Sequence, residues 1–182
     1  MPILGALVGL FALSGAAVAV PASVQAPTVP ALPSYSVAMT GYNAVPAQTD
    51  ANPLVTASGA YSNPEVVAAR SQDLAAELPF GTVVEVLGPA SAEKSCGFGV
   101  VGDTIGYRVI ADTMNKKFTN RIDVLFPTAA TRIANRAVVL GICDQVTIKV
   151  VGFVNISNPA NLPKTQADLA ALVAAESGLA LK

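Results

Sequence analysis

Between Asp112 and Asp123 the chain packs two aspartates, two lysines (Lys116 and Lys117) and one arginine (Arg121) into twelve positions, its most polar stretch. The apolar runs on either side, 107–111 and 121–126, read as strands, so Asp112 closes the first and Asp123 lies inside the second. Side chains alternate along a strand, which puts Arg121, Asp123 and Leu125 on one face and Ile122, Val124 and Phe126 on the other. A carboxyl among apolar neighbours suffers desolvation when ionised. Its pKa rises until it can hold a proton near neutrality, which is what a general acid requires. The same carboxyl could instead close a salt bridge with Arg121 or a lysine and simply hold the loop, because structural ion pairs also perturb carboxylates.

Composition narrows the chemistry. The 182 residues include no histidine, 11 Lys and Arg, 12 Asp and Glu, and two cysteines. Without histidine the Ser-His-Asp triad, the Cys-His dyad and the usual zinc sites fall away, leaving acid–base work to Asp, Glu, Lys or Tyr. No metal site is expected. A net charge of -1 supplies no basic face for nucleic acid.

No charged residue precedes Asp50, and residues 3–20 form an unbroken run of apolar and small side chains, followed by Pro21 and Ser23-Val24-Gln25-Ala26. That pattern predicts a signal peptide over 1–26, with an uncleaved membrane anchor as the rival reading, since about 18 apolar residues approach the length of a bilayer span. Export to the periplasm, cell envelope or exterior favours a disulfide between Cys96 and Cys143 over a reactive thiol, which would have no histidine and only Lys94 close in sequence to lower its pKa. The bridge would close a loop of about 48 residues, a constraint of roughly 4 kcal/mol in the chain-entropy view.

Residues 27–35 are a proline-rich linker, 36–154 a compact domain, and 155–182 a tail with a helix over 165–178. Runs 36–42, 82–87, 107–111, 121–126, 137–140 and 145–154 have strand character and are separated by Gly, Pro, Asn and Asp, as in an all-β barrel or sandwich. Residues 64–78 and 129–135 read as helical or turn-like. Tyr42 and Tyr107 could stack on sugar rings or sit half-buried in a barrel wall.

Five blocks occur in order: Met39-Thr40-Gly41-Tyr42; Thr56-Ala57-Ser58-Gly59; Asp73 followed by Leu78-Pro79-Phe80-Gly81-Thr82; Asp112-Thr113; and Asn120-Arg121-Ile122-Asp123-Val124. Together they resemble the three-aspartate (3D) domain, related to the catalytic barrel of the membrane-bound lytic transglycosylase A family. The resemblance covers roughly residues 36–151. It implies a six-stranded double-psi β-barrel, to which the residue pattern adds short helices and a C-terminal helix, and a cofactor-free enzyme that cuts peptidoglycan glycan strands to leave a 1,6-anhydro product. Asp73, Asp112 and Asp123 would be the name-giving aspartates, with Asp123 as acid and base and Asp112 as its support. Tyr42, Thr113 and Arg121 would contact substrate. A non-catalytic wall-binding barrel, and more weakly a glycan hydrolase, are the alternatives. Membrane contact would come only through an uncleaved N-terminal anchor. The chain departs from the family pattern where Met114-Asn115 replaces a Gly-Gly pair, where Asp73 lacks a following proline, and where 96–103 looks like an insertion.

Overall fold

The computed structural model describes residues 32–89, 96–129, 131 and 134–179; the leader expected over 1–26 and linker positions 27–31 lie outside the described residues. Six strands, β1 (Ser34–Asn43), β2 (Val67–Arg70), β3 (Thr82–Pro89), β4 (Tyr107–Thr113), β5 (Arg121–Phe126) and β6 (Cys143–Phe153), close into a barrel in the order β1-β5-β2-β4-β3-β6. β1 runs parallel to β5 and β2 parallel to β4, while the other neighbouring strands pair antiparallel. The expected all-β class is therefore realised as a closed six-stranded barrel. Among the described residues three α-helices accompany it: α1 (Phe98–Val101), α2 (Arg136–Leu140) and α3 (Gln166–Leu179).

Alternation along the strands sorts the apolar residues into two shells. Met39, Ala68, Val84, Ile110, Val124 and Ile148, one from each strand, meet inside the barrel. Their neighbours Tyr42, Ala69, Val83, Val109, Leu125 and Val151 face outward and are covered by Ala60, Val66, Ile156, Leu162 and Leu169 from the flanking segments. Because both faces are buried, β2 has no exposed position.

Two sequence expectations are corrected. Within 64–78, read as helical or turn-like, turns occur at 64–66 and 75–77 and a 3-10 turn at Gln72–Leu74, but the stretch between them is strand β2 and no α-helix forms. Alanine-rich and pinned between β4 and β5, this segment gains more from hydrogen bonds on both flanks than its helix propensity offers. Residues 137–140, read as a strand, form α2: the Asn135 side chain accepts from the Ala137 N–H at 3.0 Å, and Gly141, at φ 64°, ends the helix. Ala137 and Leu140 then plug one end of the barrel. Gly41 makes room for this plug, since a Cβ there would stand 2.9 Å from the Ala137 Cα and the Phe126 ring. Of the stretch 129–135, positions 130, 132 and 133 lie outside the described residues.

The segment read as an insertion carries α1 and lies on α2, with the Gly97 N–H donating to the Leu140 carbonyl at 2.9 Å. The expected disulfide is formed: Cys96 bonds to Cys143 at the start of β6, Cα to Cα 5.0 Å. The C-terminal helix is capped as its sequence predicts. The Asp168 N–H donates to Thr165 Oγ1 at 3.1 Å, and Asp168 Oδ2 accepts from the Thr165 N–H at 3.0 Å. The Gln166 amide accepts from the Tyr107 N–H and donates to the Tyr107 carbonyl, both at 2.9 Å, so a side chain pairs with β4 as a strand would.

Reduction of the disulfide is expected to lower stability by roughly 4 kcal/mol if loop entropy dominates. Urea denaturation with and without reductant, beside a Cys96→Ala/Cys143→Ala double variant, measures this. Equal midpoints would show that packing of α1 on α2 suffices to hold this end.

Candidate active site

The two central aspartates are brought together by register. Asp123 on β5 pairs with Thr40 on β1 and with Ala69 on β2, and Ala69 in turn pairs with Asp112 on β4. A row Thr40–Asp123–Ala69–Asp112 thus crosses four strands, with the smallest side chain between the two carboxyls. Regular pairing would have put Ala111 beside Ala69. Instead the register slips between Ala68 and Ala69, a bulge that re-aims Asp112 toward the side occupied by Asp123.

Asp123, Ala69 and Asp112 of this row floor a cleft of about 390 Å³. Tyr42 and Thr113 line it from the barrel strands, Phe118 from the β4–β5 loop, and Gln48, Asp50, Val55 and Ala57 from the long segment that follows β1. Parallel pairing puts the end of β1 beside the end of β5, so that segment and Phe118, which precedes β5, bound the cleft from opposite directions along the strands.

Asp123 occupies the floor. Burial pushes its carboxyl up to about 7; the Thr40 hydroxyl and the Arg121 guanidinium draw it partly back, and the Asp112 charge raises it. Its Oδ1 is buried and has no hydrogen-bond partner among the described residues. The Arg121 guanidinium lies over the Phe118 ring, 5.2 Å from its centroid, and Lys117 Nζ lies 5.0 Å from the same ring. Arg121 therefore anchors on an aromatic and acts on Asp123 by its field.

Asp112 differs in kind. It accepts from the Tyr42 hydroxyl at 3.0 Å, the Ala57 N–H at 2.9 Å and its neighbour's Thr113 N–H at 2.9 Å. Charge-assisted bonds of this sort are the stronger ones, and here they tie the loop wall to β4. The Ser58 N–H adds a bond to the Ala111 carbonyl at 3.1 Å. Burial, reinforced by Asp112, holds the Tyr42 phenol far above its ordinary pKa, so Tyr42 remains a donor at physiological pH. Tyr107 does not reach the cleft lining; it is half-buried and packs in the outer shell.

Asp73 stands outside the cleft lining, at the turn after β2. The Ser71 hydroxyl, and then the Asn120 N–H at 2.8 Å, hold its carboxyl below its usual range. Asn120 sits at φ 45° and its side chain donates to the Ser36 carbonyl at 3.2 Å, so Asp73 secures the corner through which the chain enters β5. Sequence reasoning gave no role to Thr40, Ala57 or Ala69. Thr40, Ala57 and Asp73 all lie in the five sequence blocks, but residue type alone does not say which side chain faces a cleft and which a corner.

No protein-family model matches the chain, and no curated protein matches it closely enough to count as a relative.

The raised pKa carries a stability consequence of definite sign. The folded state holds the Asp123 proton more tightly than the unfolded chain, whose carboxyl titrates near the ordinary 3.8, so ionisation destabilises the fold as pH rises from about 4 to about 7. Asp123→Asn is therefore expected to melt above the parent at pH 8, with the gap closing toward pH 4. A thermal melt series across that range checks this, and a gap independent of pH would show that Asp123 is not held protonated.

Proposed function

We propose that this chain is an exported, 3D-type double-psi barrel that cleaves the glycan strand of peptidoglycan as a lytic transglycosylase. The observation that carries the reading is Asp123: a buried carboxyl on the floor of an open cleft, with an unpartnered oxygen and a pKa of about 7. The two parallel pairs, β1 with β5 and β2 with β4, flank the antiparallel β5–β2 contact and support the double-psi reading. The Cys96–Cys143 disulfide supports an oxidising compartment. No helix among the described residues is long and apolar enough to cross a membrane.

The chemistry needs one carboxyl acting twice. Protonated Asp123 donates to the glycosidic oxygen between N-acetylmuramic acid and N-acetylglucosamine as that bond breaks. The Asp123 carboxylate then takes the proton of the muramyl 6-hydroxyl while O6 bonds to C1. The 1,6-anhydro ring closes, the acid is regenerated and no water is consumed. A two-carboxylate hydrolase would need a second free carboxylate to activate water, and Asp112 already accepts three hydrogen bonds. Asp112 serves instead to hold the loop wall, and its charge adds a smaller push to the burial that raises Asp123. Thr113 at the cleft surface and Arg121 beside it provide donors for sugar hydroxyl and carboxyl groups, while the Tyr42 phenol, whose one proton is given to Asp112, offers its ring and oxygen lone pairs to the cleft. The commitment of Asp112 to the loop, and of Asp73 to a corner, also favours a second reading in which the aspartates are architecture and the barrel only binds wall.

Mass spectrometry of soluble products from purified peptidoglycan separates the readings. The parent is expected to release anhydro-muropeptides, one water lighter than hydrolytic products, and Asp123→Asn to release none. Sedimentation with walls and no release from the parent would favour the binding module; products with a free reducing end would mark a hydrolase. If Asp123 is the acid, kcat/KM should fall about tenfold per pH unit above about pH 7. Turbidity clearance of wall suspensions across pH 5 to 9 reads this, and a flat profile above pH 7 would rule out that acid.

A further inference from the structure

The wall of the cleft continues outward into a small hairpin. Val55, which lines the cleft, and Tyr61 form an isolated antiparallel bridge flanked by bonds from the Thr56 N–H to the Ala60 carbonyl at 2.9 Å and from the Ser62 N–H to the Leu54 carbonyl at 3.0 Å. Bonds on both sides of the bridge make Val55 and Tyr61 a non-hydrogen-bonded pair, the geometry in which opposite side chains lie closest and on one face. Tyr61 therefore stands beside Val55 on one face of the hairpin, next to the cleft lining and outside it.

The hairpin is rigid and poorly suited to burying this ring in the barrel. Gly59, at φ 85°, makes the turn, the Ala57 and Ser58 amides are bonded to β4, and Ala60 is already fully buried beneath. Tyr61 is 61% exposed. Residues 54–62 carry no charge, so this rim suits neither an anionic nor a cationic group. A rigid, neutral, amphipathic ring beside an acid-bearing cleft matches the apolar face of a pyranose, whose hydroxyls stay in water at its edge.

We infer that Tyr61 is an outlying sugar-stacking subsite, which holds a saccharide unit of the glycan strand beyond the pair spanning Asp123. The inference rests on the glycan-cleaving reading for its ligand class. It assigns Tyr61 to binding of chain length, away from the bond-breaking step.

The test uses the full-length Asp123→Asn chain, so that ligand is not consumed, with N-acetylglucosamine oligomers from dimer to hexamer as probes. The chain contains no tryptophan and four tyrosines, so tyrosine emission is unmasked and reports binding directly; calorimetry gives the affinity. Adding Tyr61→Ala is expected to weaken hexamer binding about tenfold while leaving the dimer nearly unchanged, and Tyr61→Phe, which keeps the ring, to preserve the hexamer affinity. Equal length dependence with and without the Tyr61→Ala change overturns the inference. So does a Tyr61→Phe variant as weak as Tyr61→Ala, because a hydroxyl contact would then be responsible, and so does absence of oligomer binding in a folded protein. Product analysis on the parent keeps the two ideas apart. Anhydro products with no Tyr61 effect sink the subsite alone, whereas Tyr61-dependent binding without products sinks the enzyme reading alone.

Discussion

The Asp112 carboxylate joins three parts of the chain that are distant in sequence or differently folded: the phenol of β1, an amide of the long β1–β2 segment, and the backbone at the end of its own strand. Deleting one partner of such a group leaves a partly buried charge short of a donor, which is costlier than loss of a neutral bond. The cleft depends on this anchor. It fixes the loop wall of the cleft that Asp123 lines, orients Tyr42, and places a charge near Asp123 that adds to the effect of burial. Two aspartates of the same chemistry thus differ in their partners: Asp112 accepts three hydrogen bonds, whereas Asp123 keeps a buried oxygen without a partner among the described residues.

The frame beneath relies on cations as well. Arg108 is almost fully buried and binds the Pro64 carbonyl at 2.7 Å and the Thr104 carbonyl at 3.3 Å; burial lowers it to about 10, so it still carries its proton at neutrality. Arg70 donates through Nε to the Leu78 carbonyl at 2.9 Å and lies over the Phe80 ring. Each guanidinium meets carbonyls at the ends of irregular segments that would otherwise be orphaned. Planar, many-donor cations suit that task better than lysine.

Legibility in the sequence followed local pattern. β5 was readable to the residue, because strict alternation of Arg121, Asp123 and Leu125 with Ile122, Val124 and Phe126 survives in the barrel. The raised proton affinity of Asp123 was legible only as one of two readings, because it comes from burial in the folded chain and Ile122 and Val124 turn to the opposite face. β2 was not, since Val67–Arg70 is extended only because two strands flank it. α2 was hidden behind two valines and a leucine whose β propensity is overruled by an asparagine cap and a plugged barrel end. The role of Ala69 had no local signal at all. Its importance is a small volume between two carboxyls, and that volume exists only once three strands are in register.

The order of strands also determines when the barrel can exist. β1 is flanked by β5 and β6, the last two strands to be made, so it has no neighbour until most of the chain is present. Its pairings, Thr40 with Asp123 and Val37 with Val146, close very long loops, the kind of contact that slows folding and leaves strand edges open to other chains. The row that carries both aspartates is built on that same late seam. An incomplete chain therefore has neither a closed barrel nor the register that sets Asp123 and Asp112 on either side of Ala69, and the cleft is completed only in the step that also hides the strand edges.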